Sequence, residues 1–127
     1  MNIQFENWGI VEMNYSLLSK KERRDENTFS LRFEKVFGRE NKKSFKIIFY
    51  LTVNDKKFNL DVKAMFDFIT DEEITEDFKI SHFPKINAPA IAYPYLRAFV
   101  SNLTLQSGVD PAMLPTINFV QFENPED

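Results

Sequence analysis

Cysteine is absent from the 127 residues, and histidine, tryptophan and glycine are scarce, with one, one and three copies. Without cysteine there is no disulfide framework, thiol nucleophile or thiolate metal site, which is compatible with a cytoplasmic protein. His82 stands alone, so a histidine-based metal site or catalytic dyad lacks its second member, and the residue reads as a surface or hinge histidine. No apolar run approaches the ~20 residues that span a bilayer. The opening MNIQFENWGI has neither the basic nor the apolar stretch of a secretion signal. A cytoplasmic chain without membrane insertion is the expectation. Charge of one sign is lacking too: 16 Lys and Arg against 19 Asp and Glu leave a net −3, and no cationic footprint for nucleic acid.

The charges that are present cluster locally. Lys20, Lys21, Arg23 and Arg24 alternate with Glu22, Asp25 and Glu26, which cancels their field and reads as a hairpin tip. Asp71, Glu72, Glu73, Glu76 and Asp77 lack the D-x-D-x-D-G spacing of a calcium loop; they read as a solvated surface, with docking of a basic partner as the alternative. Spacing brings no nucleophile beside a base and an orienting group, so neither an enzyme nor a cofactor is expected.

What the chain has in excess is phenylalanine, 14 copies. That exceeds the needs of one small core, and the surplus belongs in an oligomer interface or on a binding surface. From residue 8 to 70 the apolar period is two. Val11, Met13, Tyr15 and Leu17 form a first inner face, and Phe29, Leu31, Phe33 and Phe37 a second. Phe45, Ile47, Phe49, Leu51 and Val53 form a third, and Phe58, Leu60, Val62, Ala64, Phe66 and Phe68 a fourth. The connections 19–27, 38–43 and 54–57 are short and polar, suited to hairpins and too short for a crossover helix. The reading is a four-stranded antiparallel meander.

Ala92, Leu96, Phe99, Val100 and Leu103 fall on one stripe of a helix, with Arg97, Ser101 and Thr104 opposite. Gly108 in the left-handed conformation and Pro111 beyond it would end that helix. Pro94 either marks a start near Tyr93 or kinks a helix whose irregular first turn begins at Ala88, the reading favoured here. Residues 71–80 suggest a turn of helix, Pro111 to Phe119 an extended segment, and the closing NPED a frayed tail. The sum is a single α+β domain over residues 1–127: a four-stranded antiparallel sheet with one long C-terminal helix packed on one face.

Tyr93-Pro94-Tyr95-Leu96-Arg97 resembles the Phe-Pro-Tyr-Ala-Arg element in the main helix of the SecB family of bacterial export chaperones. Leu114-Pro115-Thr116-Ile117-Asn118-Phe119 resembles the Leu-x-Pro-Val/Ile-Asn-Phe element that follows it. Tyr93 replaces the usual Phe, and Ala88-Pro89 stands for a usual Cys-Pro; upstream the resemblance is one of layout. It implies a SecB-like fold, assembly into a homo-oligomer (a dimer or dimer of dimers), and holding of unfolded polypeptides along apolar grooves without ATP. The family's second helix, beyond the Asn-Phe element, is expected to be absent. Client-contact candidates are Trp8, Ile48, Tyr50, Phe83, Phe119 and Phe122, all large, apolar and outside the inner faces as read here. Ile10, Leu18 and Met65 join Ile48 and Tyr50 as apolar residues where alternation gives solvent. The implied partners are unfolded clients and either the SecA motor or an antitoxin as dedicated client; a non-catalytic domain binding a small apolar ligand is the rival from another class.

Overall fold

The computed structural model describes residues 1–125. Its elements run β1 (Ile3–Leu17), β2 (Thr28–Phe37), β3 (Ser44–Asn54), β4 (Phe58–Thr70), α1 (Glu76–Lys79) and α2 (Ala88–Gln106). The fold class is α+β, a four-stranded antiparallel sheet followed by one long helix. The described chain forms two compact units, one of Met1–Thr75 with Asn124 and Pro125, the other of Glu76–Glu123.

In the first unit the strand order is β1-β4-β3-β2. β2, β3 and β4 are successive hairpins, as their short polar connections predict. β1 departs from the meander: it pairs with β4, at the opposite edge from β2. The connection 18–27 is therefore no hairpin tip but a strap across the sheet end, the long link of a Greek key. Arg24 secures it. Its guanidinium donates to the carbonyls of Asp55 (2.7 Å) and Phe58 and to Asn59 Oδ1, its N–H reaches Lys56 O, and Asn27 Oδ1 accepts from Lys56 N–H. Leu18, expected outside, is buried, and its N–H joins the same turn at Lys57 O.

One face of the sheet is apolar in cross-strand rows. Phe37, Phe45, Phe68 and Phe5 make one row across all four strands, with neighbouring ring centroids 5.7, 5.1 and 5.5 Å apart. Phe49 meets Phe66 edge to face and Trp8 stacks on Phe66 at 5.2 Å. Phe45, Phe49, Phe58, Phe66 and Phe68 are all fully buried, and each contributes roughly 1.5–3 kcal/mol by leaving water.

β1 breaks the alternation read from its sequence. Its register with β4 shifts between Phe5 and Asn7 and again between Ile10 and Glu12. Each bulge adds a residue and resets the phase. Trp8 and Ile10 therefore pair with Phe66 and Ala64 on the apolar face, where outward positions were expected. Val11, expected inward, sits at the second bulge and is exposed.

Acidic residues at the end of β4 are structural in part: Asp71 Oδ1 accepts from Asn2 N–H at 2.7 Å and Glu72 pairs with the Met1 amine at 2.9 Å. The tail is not frayed at Asn124, whose side-chain amide bonds both main-chain groups of Phe33. The rest of NPED beyond Pro125 lies outside the described residues.

Truncating Arg24 to Ala strips the strap of charge-assisted bonds while leaving two carbonyls partly enclosed. Such bonds contribute about 1.5–3 kcal/mol each, less where solvent competes, so a loss of about 2 kcal/mol in urea unfolding is expected, with Arg24→Lys recovering only part.

Candidate functional site

The second unit is built around α2. Ahead of it, Phe83–Asn87 forms a π-helical turn, in which Ala88 N–H reaches back five residues to Phe83 O. The irregular turn thus precedes Ala88 rather than starting there. Pro89 explains it: its ring opposes the carbonyl four residues back, and a wider turn relieves that clash. The helix runs on through Pro94, which is exposed. It ends as the sequence predicts: Gly108 has φ +91°, with Gly108 N–H on Leu105 O and Val109 N–H on Thr104 O, a Schellman closure.

Ala92, Tyr93, Leu96, Val100 and Thr104 are the buried stripe of α2, with Phe99 and Leu103 only half-buried beside it. Thr104 corrects the expectation that it faced solvent with Arg97 and Ser101. Its hydroxyl donates to Val100 O and accepts Ala112 N–H, both at 2.8 Å, so burial leaves no polar group unmatched.

That bond is one of several by which the helix holds the following segment. Tyr93 Oη donates to Pro115 O at 2.7 Å and Arg97 Nε donates to Leu114 O at 2.6 Å. The two sequence elements are therefore halves of one device, in which side chains of the first hold carbonyls of the second. Tyr93 also meets Phe119 edge to face, and Phe119 packs on Phe122 at 5.3 Å. Beside this device lies a cavity of about 290 Å³ lined by Pro94, Arg97, Ala98, Ser101, Ala112 and Met113.

The candidate contact residues fall into different settings. Trp8 lies on the apolar face of the sheet; Ile48 and Tyr50 lie on the other face, both half-buried. Tyr50 is flanked by Arg32, 3.7 Å from its ring centre, and Lys63 at 5.6 Å. Ile48 sits between Glu34 and Met65. Phe83 packs against Phe78 in the second unit. Phe119 is 5% exposed, with its ring against Tyr93 and Phe122, and Phe122 is half-buried. Sequence reasoning missed a second stripe on α2, where Ile91, Tyr95 and Leu105 are all exposed. Their spacing of four and ten residues, with Ala98 and Asn102 between, was a readable helical period. Among the described residues no group of three or more His, Cys, Asp or Glu side chains converges for a metal.

Burial pushes the Tyr93 phenol from 10.0 up to about 12, against a smaller opposing pull from Arg97. The folded state thus holds this proton where the unfolded chain releases it, so its contribution to stability is complete below pH 10 and is lost as pH rises towards 12. Compared with Tyr93→Phe, the wild type should lose stability more steeply over that window in pH-dependent unfolding. At pH 7 the same variant should cost about 1 kcal/mol for the lost bond to Pro115.

Three comparisons bear on this geometry. The Mycobacterium tuberculosis SecB-like chaperone Rv1957, solved in complex with a ChAD peptide from the Rv1956 HigA1 antitoxin, superposes with a TM-score of 0.71 at 13% identity, covering 91% of this chain and 87% of that one. A protein of unknown function from Streptococcus agalactiae superposes with a TM-score of 0.55 at 15% identity, over 91% and 98% of the two chains. An uncharacterized protein of Methanocaldococcus jannaschii, MJ0357, is 25% identical over 126 residues, 91% of this chain and 79% of that one. The solved structures share the fold, and the profile of the family described as preprotein translocase subunit SecB matches residues 12–124, so this chain belongs to the SecB family.

Proposed function

We propose that this protein is a chaperone that holds unfolded or non-native polypeptides through exposed apolar surface, without ATP. It would act in the cytoplasm, and as a single SecB-like domain over residues 1–127. The family match over residues 12–124 carries this reading. Surface chemistry supports it. On the first unit Met13, Leu17 and Phe29 expose apolar area at the margins of the sheet's apolar face; on the second, Ile91, Tyr95, Leu105 and Met113 do so. Exposed apolar groups have a free-energy reason to take up apolar side chains that a client has not buried. The cavity beside Met113 fits one such side chain, and Trp8, Ile48, Tyr50, Phe83 and Phe122 are the further contacts proposed.

The exposed stripe of α2 supports assembly into a homodimer or a dimer of dimers, because two copies of it are self-complementary. A narrower reading, a dedicated chaperone of one antitoxin, is favoured by the likeness to a SecB-like protein that was solved with an antitoxin peptide. No helix among the described residues is long and apolar enough to cross a membrane.

At stoichiometric ratios the protein should suppress light scattering from a guanidinium-denatured client on dilution, equally with and without ATP. No suppression of any client tested would overturn the reading. Native mass should be two or four times the 15.0 kDa of one chain, and Tyr95→Glu on the α2 stripe should lower it. Capture from the host lysate separates the two scopes: one dominant antitoxin supports the dedicated role, whereas many presecretory proteins together with SecA support export.

A further inference from the structure

β2 is the last strand of its sheet, so alternate residues along it turn their N–H and C=O away from β3. Phe33 is one of these, and both of its groups are taken by a single side chain. Its N–H donates to Asn124 Oδ1 at 3.1 Å and its carbonyl accepts from Asn124 Nδ2 at 2.6 Å. A residue on an adjacent antiparallel strand exchanges the same two bonds with its partner. Asn124, 91 residues away in sequence, thus stands where one residue of a fifth strand would stand. By the same alternation Leu31 and Lys35 turn their peptide groups outward on either side of Phe33. The edge presents Phe29, Leu31, Phe33, Lys35 and Phe37 towards one face, mostly apolar, and Ser30, Arg32, Glu34 and Val36 towards the other, mostly polar.

We infer that the outer edge of β2 takes up an extended client segment of alternating apolar and polar residues, and that Asn124 is the built-in competitor which that segment displaces at Phe33. The inference rests on the polypeptide-holding role proposed above and gives it a threshold. At Phe33 an incoming strand only exchanges its bonds for those of Asn124, which is tethered and present at high effective concentration. Net gain comes from the flanking peptide groups of Leu31 and Lys35 and from the side chains beside them. A short segment that covers Phe33 alone gains little; a segment long enough to reach both neighbours displaces the amide. Asn124 therefore selects for length and for an extended conformation, and with no client it shields the edge from pairing with a second copy.

The test uses the full chain and a fluorescein-labelled, acetylated ten-residue peptide of alternating valine and lysine, read by anisotropy. Asn124→Ala should bind it about thirtyfold more tightly than wild type, the scale of two neutral hydrogen bonds no longer displaced. Asn124→Asp, which keeps the acceptor and loses the donor, should fall between. Hydrogen exchange at the Phe33 amide should be slow in wild type, fast in Asn124→Ala, and slow again once the peptide is added, a pattern that a general loss of stability does not produce. A peptide N-methylated at alternate residues on its pairing edge should bind neither protein. Equal affinity of wild type and Asn124→Ala, with both still suppressing client aggregation, overturns the competitor role and leaves the chaperone role standing. A wild type that neither binds the peptide nor holds any client overturns both.

Discussion

A peptide group that leaves a helix or a ladder must find another partner, and in this protein side chains repeatedly supply it. Arg24 takes the carbonyls of Asp55 and Phe58 where β1 crosses to the far edge, and Asn27 takes Lys56 N–H beside them. Asn41, Asp55 and Asn118 each accept an N–H two residues on, closing turns without glycine. Tyr93, Arg97 and Thr104 do the same for the segment after α2, and Asn124 for β2. With only three glycines in the chain, its irregular segments are held less by permissive backbone than by polar side chains reaching main chain.

This explains why the two elements that suggested the family work together. Tyr93 and Arg97 lie four residues apart, one helical turn, and they catch the adjacent carbonyls of Pro115 and Leu114. Proline at 115 donates no N–H of its own, so the segment cannot satisfy itself by becoming helical, and its carbonyls stay available to the helix. The phenol of Tyr93, at the position of the Phe in the SecB element that this stretch resembles, is no idle difference, because its hydroxyl makes one of the holding bonds.

Legibility in the sequence followed the range of the interaction. β2, β3 and β4 were readable because an unbroken period of two leaves only one assignment of faces, and the end of α2 because Gly108 acts on its own neighbours. β1 was not, because bulges at Glu6 and Val11 shift its phase and nothing in the residues themselves announces them. Trp8, chosen as lying outside, therefore lies on the apolar face. The connection 18–27 has a length that suits either a hairpin or a strap, and the choice is made by Arg24 finding carbonyls more than thirty residues away. Thr104 was misread because a hydroxyl counts as polar until its partners, Val100 O and Ala112 N, are known. Of the candidate surface, the α2 stripe was readable by period and was overlooked; the amide of Asn124 on Phe33 was not readable by any local rule.

The two edges of the sheet are closed by means that differ in reversibility. On β1 the irregularities are in the backbone: two extra residues disturb the spacing of outward groups, and removing that disturbance requires a new register for the whole strand. On β2 the closure is one side-chain amide with two hydrogen bonds, each worth about 1 kcal/mol net, on a strand whose own register with β3 is unbroken over ten residues. A protein that displays apolar surface to unfolded chains needs both edges blunted against its own kind. Only the β2 closure is weak enough to be exchanged at equilibrium without disturbing the apolar rows beneath it, so the asymmetry of the sheet assigns protection to one edge and regulated access to the other.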